Sequence, residues 1–173
     1  LEQGVFNSAL HLEGRSVIRV TDREVFEDLP GLTLSAWVKP GELTGYREIL
    51  RKEDGDRRIL FSFQHDGRIL ALGLNTEGIG YQELDAPVDP VLFRDGQWHH
   101  VAGTYDGQCM AVYLDGLLIG SQNRTGRILS GGGADAFIGS SGGQGEFFQG
   151  GIDDLRVFNS ALGPEEITTL HDE

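Results

Sequence analysis

Tight turn signals between short apolar runs constrain this chain more than any other feature. Asp-Gly pairs stand at positions 54–55, 66–67, 95–96, 106–107 and 115–116. An Asp-Gly pair between alternating apolar residues is the strongest short-range signal for a β-hairpin. The 26 glycines follow no triplet period, so we interpret them as turn residues. Frequent turns favour short strands over long helices.

The runs between the turns have the two-residue period of half-buried strands. In Leu32–Val38 the even-numbered residues are apolar and form one face, and Pro40-Gly41 ends the run. Further strands are expected near residues 17–20, 59–63, 69–72, 98–105, 109–114, 117–119, 137–138 and 152–158. About twelve strands at this spacing predict an all-β fold, an antiparallel two-sheet jelly-roll sandwich.

One short helix is expected, near the C-terminal end. Pro164 and the two acids after it suit a first helical turn, and Ile167 and Leu170 share one face. The 173 residues are enough for one domain with a full core, so residues 1–173 are predicted to be a single domain. The chain starts at Leu1 and shows no signal peptide, from which we expect a domain cut from a larger modular protein.

Charge excludes two classes of partner. The formal net charge of -13 argues against nucleic acid and against docking on anionic membranes, because both need clustered Lys and Arg. No apolar run approaches the about 20 residues needed to span a bilayer, so no membrane insertion is expected. Cys109 is the only cysteine and cannot form an intramolecular disulfide. An acidic surface suits a neutral polysaccharide, a cation-bridged partner or solubility alone.

Five motifs in the same order resemble the laminin-G-like domains of the concanavalin A-like lectin/glucanase superfamily. The family's first strand resembles Ala9–Gly14, and the five motifs are residues 32–40, 96–102, 104–107, 112–116 and 151–158. The resemblance implies the jelly-roll fold over nearly the whole chain. Its members serve as carbohydrate-binding modules, adhesion modules or spacers, so it does not choose among functions. Because the chain lacks a cysteine pair, we expect a secreted or cell-surface protein, of bacterial origin.

The resemblance also implies a structural calcium ion at the sandwich edge. Calcium takes six to eight oxygen ligands. Glu13 stands where the family commonly carries an Asp, and Asp153 belongs to the last-strand motif, so these two are the candidate ligands. Asp154 is adjacent and must face the opposite side of the strand. The alternative is that these carboxylates accept hydrogen bonds from backbone amides at strand ends.

Candidate ligand-binding residues lie in segments that the framework does not explain. Binding residues concentrate on loops held by a rigid scaffold, and aromatic and amide groups together suit a glycan. The candidates are Tyr46, Arg47, Tyr81, Gln82, Gln144, Glu146 and Phe148. The segment 142–149 also fits an ordinary hairpin whose phenylalanines point inward. Basic and acidic residues interleave over 47–58, which favours a self-neutralised surface turn over a site for an acidic polysaccharide.

No catalytic residue is predicted. Sandwich glycoside hydrolases carry alternating acids along one strand, as in Glu-x-Asp-x-Glu, and this string is absent from the sequence. The nucleophile elbow, the zinc-protease helix and the phosphate loop are absent as well. Two functional hypotheses remain: a non-catalytic carbohydrate-binding module, and a protein-interaction or spacer domain with an exposed apolar patch.

Overall fold

Thirteen strands form two antiparallel sheets in the computed structural model, which describes all 173 residues. The seven-stranded sheet contains, in spatial order, β1 (Glu2–Gln3), β2 (Ser8–Glu13), β13 (Gln149–Phe158), β4 (Leu32–Pro40), β9 (His99–Tyr105), β10 (Cys109–Leu114) and β11 (Leu117–Asn123). The six-stranded sheet contains β3 (Ile18–Val20), β12 (Ala136–Ile138), β5 (Arg47–Asp54), β6 (Arg57–Gln64), β7 (Ile69–Thr76) and β8 (Gly80–Pro87). Two single-turn 3-10 helices, Glu24–Phe26 and Leu92–Arg94, lie in the connections.

One apolar core fills the space between the sheets. It is a single cluster of 27 buried residues contributed by both sheets, with Phe61 and Phe63 from β6, Leu72 from β7 and Val112 from β10. These residues alternate with polar neighbours because successive side chains of a strand point to opposite faces. The core fixes the register of every strand, since a one-residue slip would turn its apolar side chains outward.

The outer surface of the seven-stranded sheet is partly covered by the helix α1 (Pro164–Asp172). Ile167 and Leu170 pack there in a second cluster with Ala102 and Tyr113. At its start, Glu166 accepts a hydrogen bond from the Gly163 amide at 2.7 Å, which satisfies one of the unpaired donors of the first turn. No helix of the structure combines the length and the apolar character needed to cross a membrane.

The predicted all-β fold and C-terminal helix are confirmed. Three strands were not predicted: β1, which has only two residues, and β5 and β8, whose outward residues are charged or aromatic and resemble turn sequences. Arg47, Tyr81 and Gln82 were expected in turns, and the structure corrects this: Arg47 begins β5, and the other two lie within β8. Their strand character comes from the inward apolar neighbours, such as Ile49 and Leu84.

Candidate functional site

Polar side chains line the outer face of the six-stranded sheet, which we call the trough. Cross-strand pairing places one row of residues over all six strands, about 24 Å at the usual strand spacing: Arg19, Phe137, Arg51, Leu60, Gly73 and Glu83. A parallel row contains Glu48, Ser62, Ala71 and Asp85. These residues alternate with the core residues of the same strands, so their side chains point away from the core.

Small residues form the floor of the trough. Ser62 and Ala71 are completely buried although they lie on an outer sheet face. The larger side chains around them supply this cover: a side chain on Gly73 would collide with the Tyr81 ring and with Glu83. The glycine is therefore required where the tyrosine ring lies flat over β7.

Arg51 organises one side of the trough. Its guanidinium donates to Glu48 at 2.8 Å, to Glu53 at 2.7 Å and to Glu146 at 3.4 Å. Glu53 also pairs with Arg58 at 2.8 Å. The network joins β5, β6 and the loop before β13, and it holds planar charged groups side by side on an open surface.

Glu48 is almost completely buried. Burial, and next a hydrogen bond with Glu146, raise the pKa of Glu48 to about 8, and Arg51 offsets only part of this. Its Oε2 atom is buried and receives no donor. The raised pKa favours the neutral form of Glu48 at pH 7, in which the carboxyl proton can be donated to Glu146.

Tyr81 organises the opposite side. Its hydroxyl donates to Glu83, and the Arg58 guanidinium lies 4.8 Å from its ring centroid. Gln64 donates to Glu83 at 3.2 Å. Burial and a hydrogen bond with Glu83 raise the pKa of Asp85, so these acids are paired as well.

A cleft of about 230 Å³ opens at the Arg19 end of the trough. Phe137 and Ser141 line it together with the ion pair between Arg19 and Asp135. Arg23 holds the other oxygen of Asp135 at 3.0 Å. The cleft thus combines an aromatic ring, a hydroxyl and fixed charges.

The loop 139–148 closes this end of the sheet. The Glu48 amide donates to the Glu146 carbonyl at 3.0 Å, and the Phe148 amide donates to the Gly139 carbonyl at 2.9 Å. Phe148 anchors the loop by lying fully buried in the core.

The structure brings only some of the predicted ligand-binding residues together. Tyr81 and Glu146 lie in the trough. Two predictions are wrong: Phe148 is in the core, and Gln82 points inward, where it donates to Thr76 and to the Thr125 carbonyl. Both errors concern which side of the backbone faces the solvent.

Of the other three predicted residues, Tyr46 and Gln144 lie on loops and Arg47 is the first residue of β5. Tyr46 is exposed and packs against His65, with ring centroids 5.5 Å apart. Arg47 donates to Thr44 and to carbonyls of its own loop. Gln144 is exposed at the tip of the loop 139–148.

Glu13 and Asp153 do not form a shared calcium site, which corrects that prediction. Glu13 pairs with Gln149, four residues from Asp153 along β13, a separation of about 13 Å. Asp153 accepts hydrogen bonds from the Phe6 amide at 3.0 Å and the Asp154 amide at 2.9 Å. No three His, Cys, Asp or Glu side chains of the structure are grouped as metal ligands.

Sequence reasoning missed most of the residues that line the trough: Arg19, Arg51, Arg58, Glu83, Asp85 and Phe137. On β8 the signal is a polar or aromatic residue at every second position, Tyr81, Glu83 and Asp85. This signal has meaning only after the strand register shows which residues face outward.

A jelly-roll sandwich with a polar, aromatic-bearing outer face has the architecture of a lectin-like domain. The chain belongs to the concanavalin A-like lectin/glucanases superfamily, since the Laminin_G_3 family model matches residues 12–168.

Three solved structures show the range of similar proteins. Domain 4 of AbnA, a GH43 extracellular arabinanase from Geobacillus stearothermophilus solved with arabinotriose, is 25% identical, with a TM-score of 0.77 over 98% of this chain and 79% of that one. The CBM40 domain of the Ruminococcus gnavus IT-sialidase is 17% identical, with a TM-score of 0.76 over 95% of this chain and 97% of that one. The binding domain of Paraclostridial Mosquitocidal Protein 1 is 14% identical, with a TM-score of 0.74 over 98% of this chain and 44% of that one.

Proposed function

We propose that this protein is a non-catalytic carbohydrate-binding module that holds a glycan in the trough. The observation that carries the proposal is the trough itself, with planar polar groups and two aromatic rings, Phe137 and Tyr81, around a floor of small residues. Carboxylate, guanidinium and amide groups hydrogen-bond sugar hydroxyls, and aromatic rings pack on the apolar faces of sugars.

The similar structures support this proposal. Domain 4 of the arabinanase was solved with arabinotriose, and the sialidase CBM40 domain was solved with α2,3 sialyllactose. Both proteins place oligosaccharide binding on the same sandwich fold. By analogy we propose that this chain serves a secreted, polysaccharide-active or cell-surface modular protein of bacterial origin.

The spacing of the acids supports a binding role over catalysis. Glycosidases need two carboxyl groups about 5–5.5 Å or about 6.5–9.5 Å apart, on either side of the scissile bond. In the trough Glu48 is hydrogen-bonded to Glu146, and Asp85 to Glu83. These two pairs of acids therefore contact each other and do not flank an open space, as a catalytic pair does.

Replacing Tyr81 with Ala tests the position of the site. We expect Tyr81→Ala to weaken glycan binding by about tenfold, because an exposed ring that packs on a sugar is lost. The measurement is a glycan array followed by calorimetry on the best ligand. Ile79→Ala is the matched control, because Ile79 is exposed in the turn before β8 and lies outside the trough. Equal affinities of wild type and Tyr81→Ala would contradict the proposed site.

The alternative function is contact with a protein. Two neighbouring segments carry exposed apolar residues, Val91 and Leu92 on one and Leu117 and Leu118 on the other. His99 connects them, because its ring nitrogens lie 3.1 Å from the Leu92 carbonyl and 2.9 Å from the Asp115 carboxylate. A glycan array without any binding would favour these residues as the functional surface.

Calcium binding stays a separate, untested part of the proposal. Because Glu13 and Asp153 lie apart, a bound ion would need other oxygen ligands, including backbone carbonyls. A melting temperature that does not change when a chelator is added would count against it.

A further inference from the structure

We propose that the trough selects a neutral glycan, whose sugars carry hydroxyl groups but no carboxylate, sulfate or phosphate. This inference rests on the proposed function and names the ligand class of the same site.

The trough carries no excess of positive charge. Six carboxyl groups line it, those of Glu48, Glu53, Glu83, Asp85, Asp135 and Glu146. Four guanidinium groups face them, those of Arg19, Arg23, Arg51 and Arg58. With Glu48 protonated and one proton shared by Asp85 and Glu83, four carboxylates still balance the four cations. The protein as a whole carries a formal charge of -13, so the long-range field also repels anions.

Each of these arginines already has a carboxylate partner. Arg51 holds three, and Arg58 shares Glu53 with it at 2.8 Å. Arg19 and Arg23 both bind Asp135, whose side chain is only 3% exposed. The charge of these arginines is already balanced by carboxylates, and an anionic sugar group that displaced the nearly buried Asp135 would cost it two charge-assisted hydrogen bonds. The arginines therefore do not form a ready anion site.

Hydroxyl groups meet no such barrier. A hydroxyl both donates and accepts, so it fits between a carboxylate oxygen and a guanidinium N–H without breaking the ion pair. Paired charges present both kinds of partner side by side along the row from Arg19 to Glu83. Phe137, between Arg19 and Arg51 in this row, adds an apolar surface for a sugar ring.

The test compares neutral and acidic ligands on the same chain. Calorimetry would measure binding of arabinan, xylan and lactose against polygalacturonate, heparin and sialyllactose, in about 50 mM and about 500 mM NaCl. We expect binding only among the neutral ligands, with a Kd that changes by less than about twofold with salt, since no ionic contact forms.

Two variants sharpen the comparison. Arg51→Gln should weaken the neutral ligand by about tenfold, because it removes the donor between three carboxylates. Glu77→Gln, on an exposed turn outside the trough, should bind as the wild type does.

The outcomes separate the two proposals. Binding of an acidic ligand at least as tight as any neutral one, and weakened by salt, would overturn this inference while leaving the glycan-binding function in place. If no glycan binds, both the glycan-binding function and its selectivity for neutral glycans are overturned.

Discussion

Asp153 shows how a carboxylate that resembles a metal ligand can serve the backbone instead. Its two oxygens accept hydrogen bonds from the Phe6 and Asp154 amides, and so connect the start of the chain to the last strand. Gly4 lies so close to Asp153 that a side chain there would collide with it. Hydrogen bonds to two backbone amides therefore explain why Asp153 stands in the last-strand motif.

Asp153→Ala is expected to lower the free energy of unfolding by about 2 kcal/mol, because two amides lose their acceptor. Urea denaturation with and without a chelator measures the loss. Glu13→Ala, which removes an exposed side chain, should stay within about 0.5 kcal/mol of wild type. A loss that depends on calcium would contradict the backbone role.

His100 is a second residue whose surroundings decide its behaviour. It is buried, its Nε2 is 2.8 Å from the Ser35 hydroxyl, and its ring contacts Trp37 and His171. Burial, and next the nearby His171, lower the pKa of His100 from 6.5 to about 4.

Between pH 6.5 and about 4, His100 is protonated in the unfolded chain but stays neutral in the folded protein. Stability therefore falls as the pH falls through this window, by up to about 3 kcal/mol. In His100→Gln the fall should be shallower, whereas the exposed His11→Gln should follow the wild type. Urea titrations from pH 7 to 4 measure both slopes. Identical slopes for wild type and His100→Gln would refute this assignment.

At the scale of elements, the hairpin β5–β6 and the loop 139–148 depend on one shared proton. Glu48 on β5 meets Glu146 on the loop, and Arg51 binds both. The folded pKa of Glu48, about 8, is above its ordinary 4.5. The stabilisation is complete below pH 4.5 and is lost as the pH rises through 8.

Glu48→Gln keeps the neutral form at every pH, with an amide that can accept from Arg51 and donate to Glu146. We expect it to match the wild type at pH 5 and to exceed it by about 3 kcal/mol near pH 8.5. Glu53→Gln, an exposed acid that also binds Arg51, is the control and should show no such gain. Unfolding curves at the two pH values decide, and equal curves for Glu48→Gln and wild type at pH 8.5 would refute the shared proton.

The elements also show what sequence can predict. Runs such as Leu32–Val38 alternate strongly, and the structure confirms them as strands. Phe148 and Gln82 were misjudged because a two-residue period says that neighbours face opposite sides, but not which side is the core. The contact of Glu48 with Glu146 spans almost a hundred residues of sequence, and no local pattern encodes it.

At the scale of the molecule, the two pH effects oppose each other. Between about pH 4.5 and 6.5 stability rises with pH through His100 and falls through Glu48, one proton each. For these two groups the contributions cancel in this window, and stability declines on either side of it. The double variant His100→Gln, Glu48→Gln should therefore show neither the decline in stability at lower pH nor the decline at higher pH.

The order of strands in the seven-stranded sheet also affects how the chain folds. The last strand, β13, lies between β2 and β4 in the interior of its sheet, so each of these early strands lacks one of its two neighbours until residues 149–158 are present. Pairs this distant in sequence cost loop-closure entropy before they stabilise anything, which slows folding. Folding during synthesis on the ribosome must therefore wait for residues 149–173 at the C-terminal end of the domain, and a chain shortened before Gln149 would expose two unpaired strand edges to aggregation.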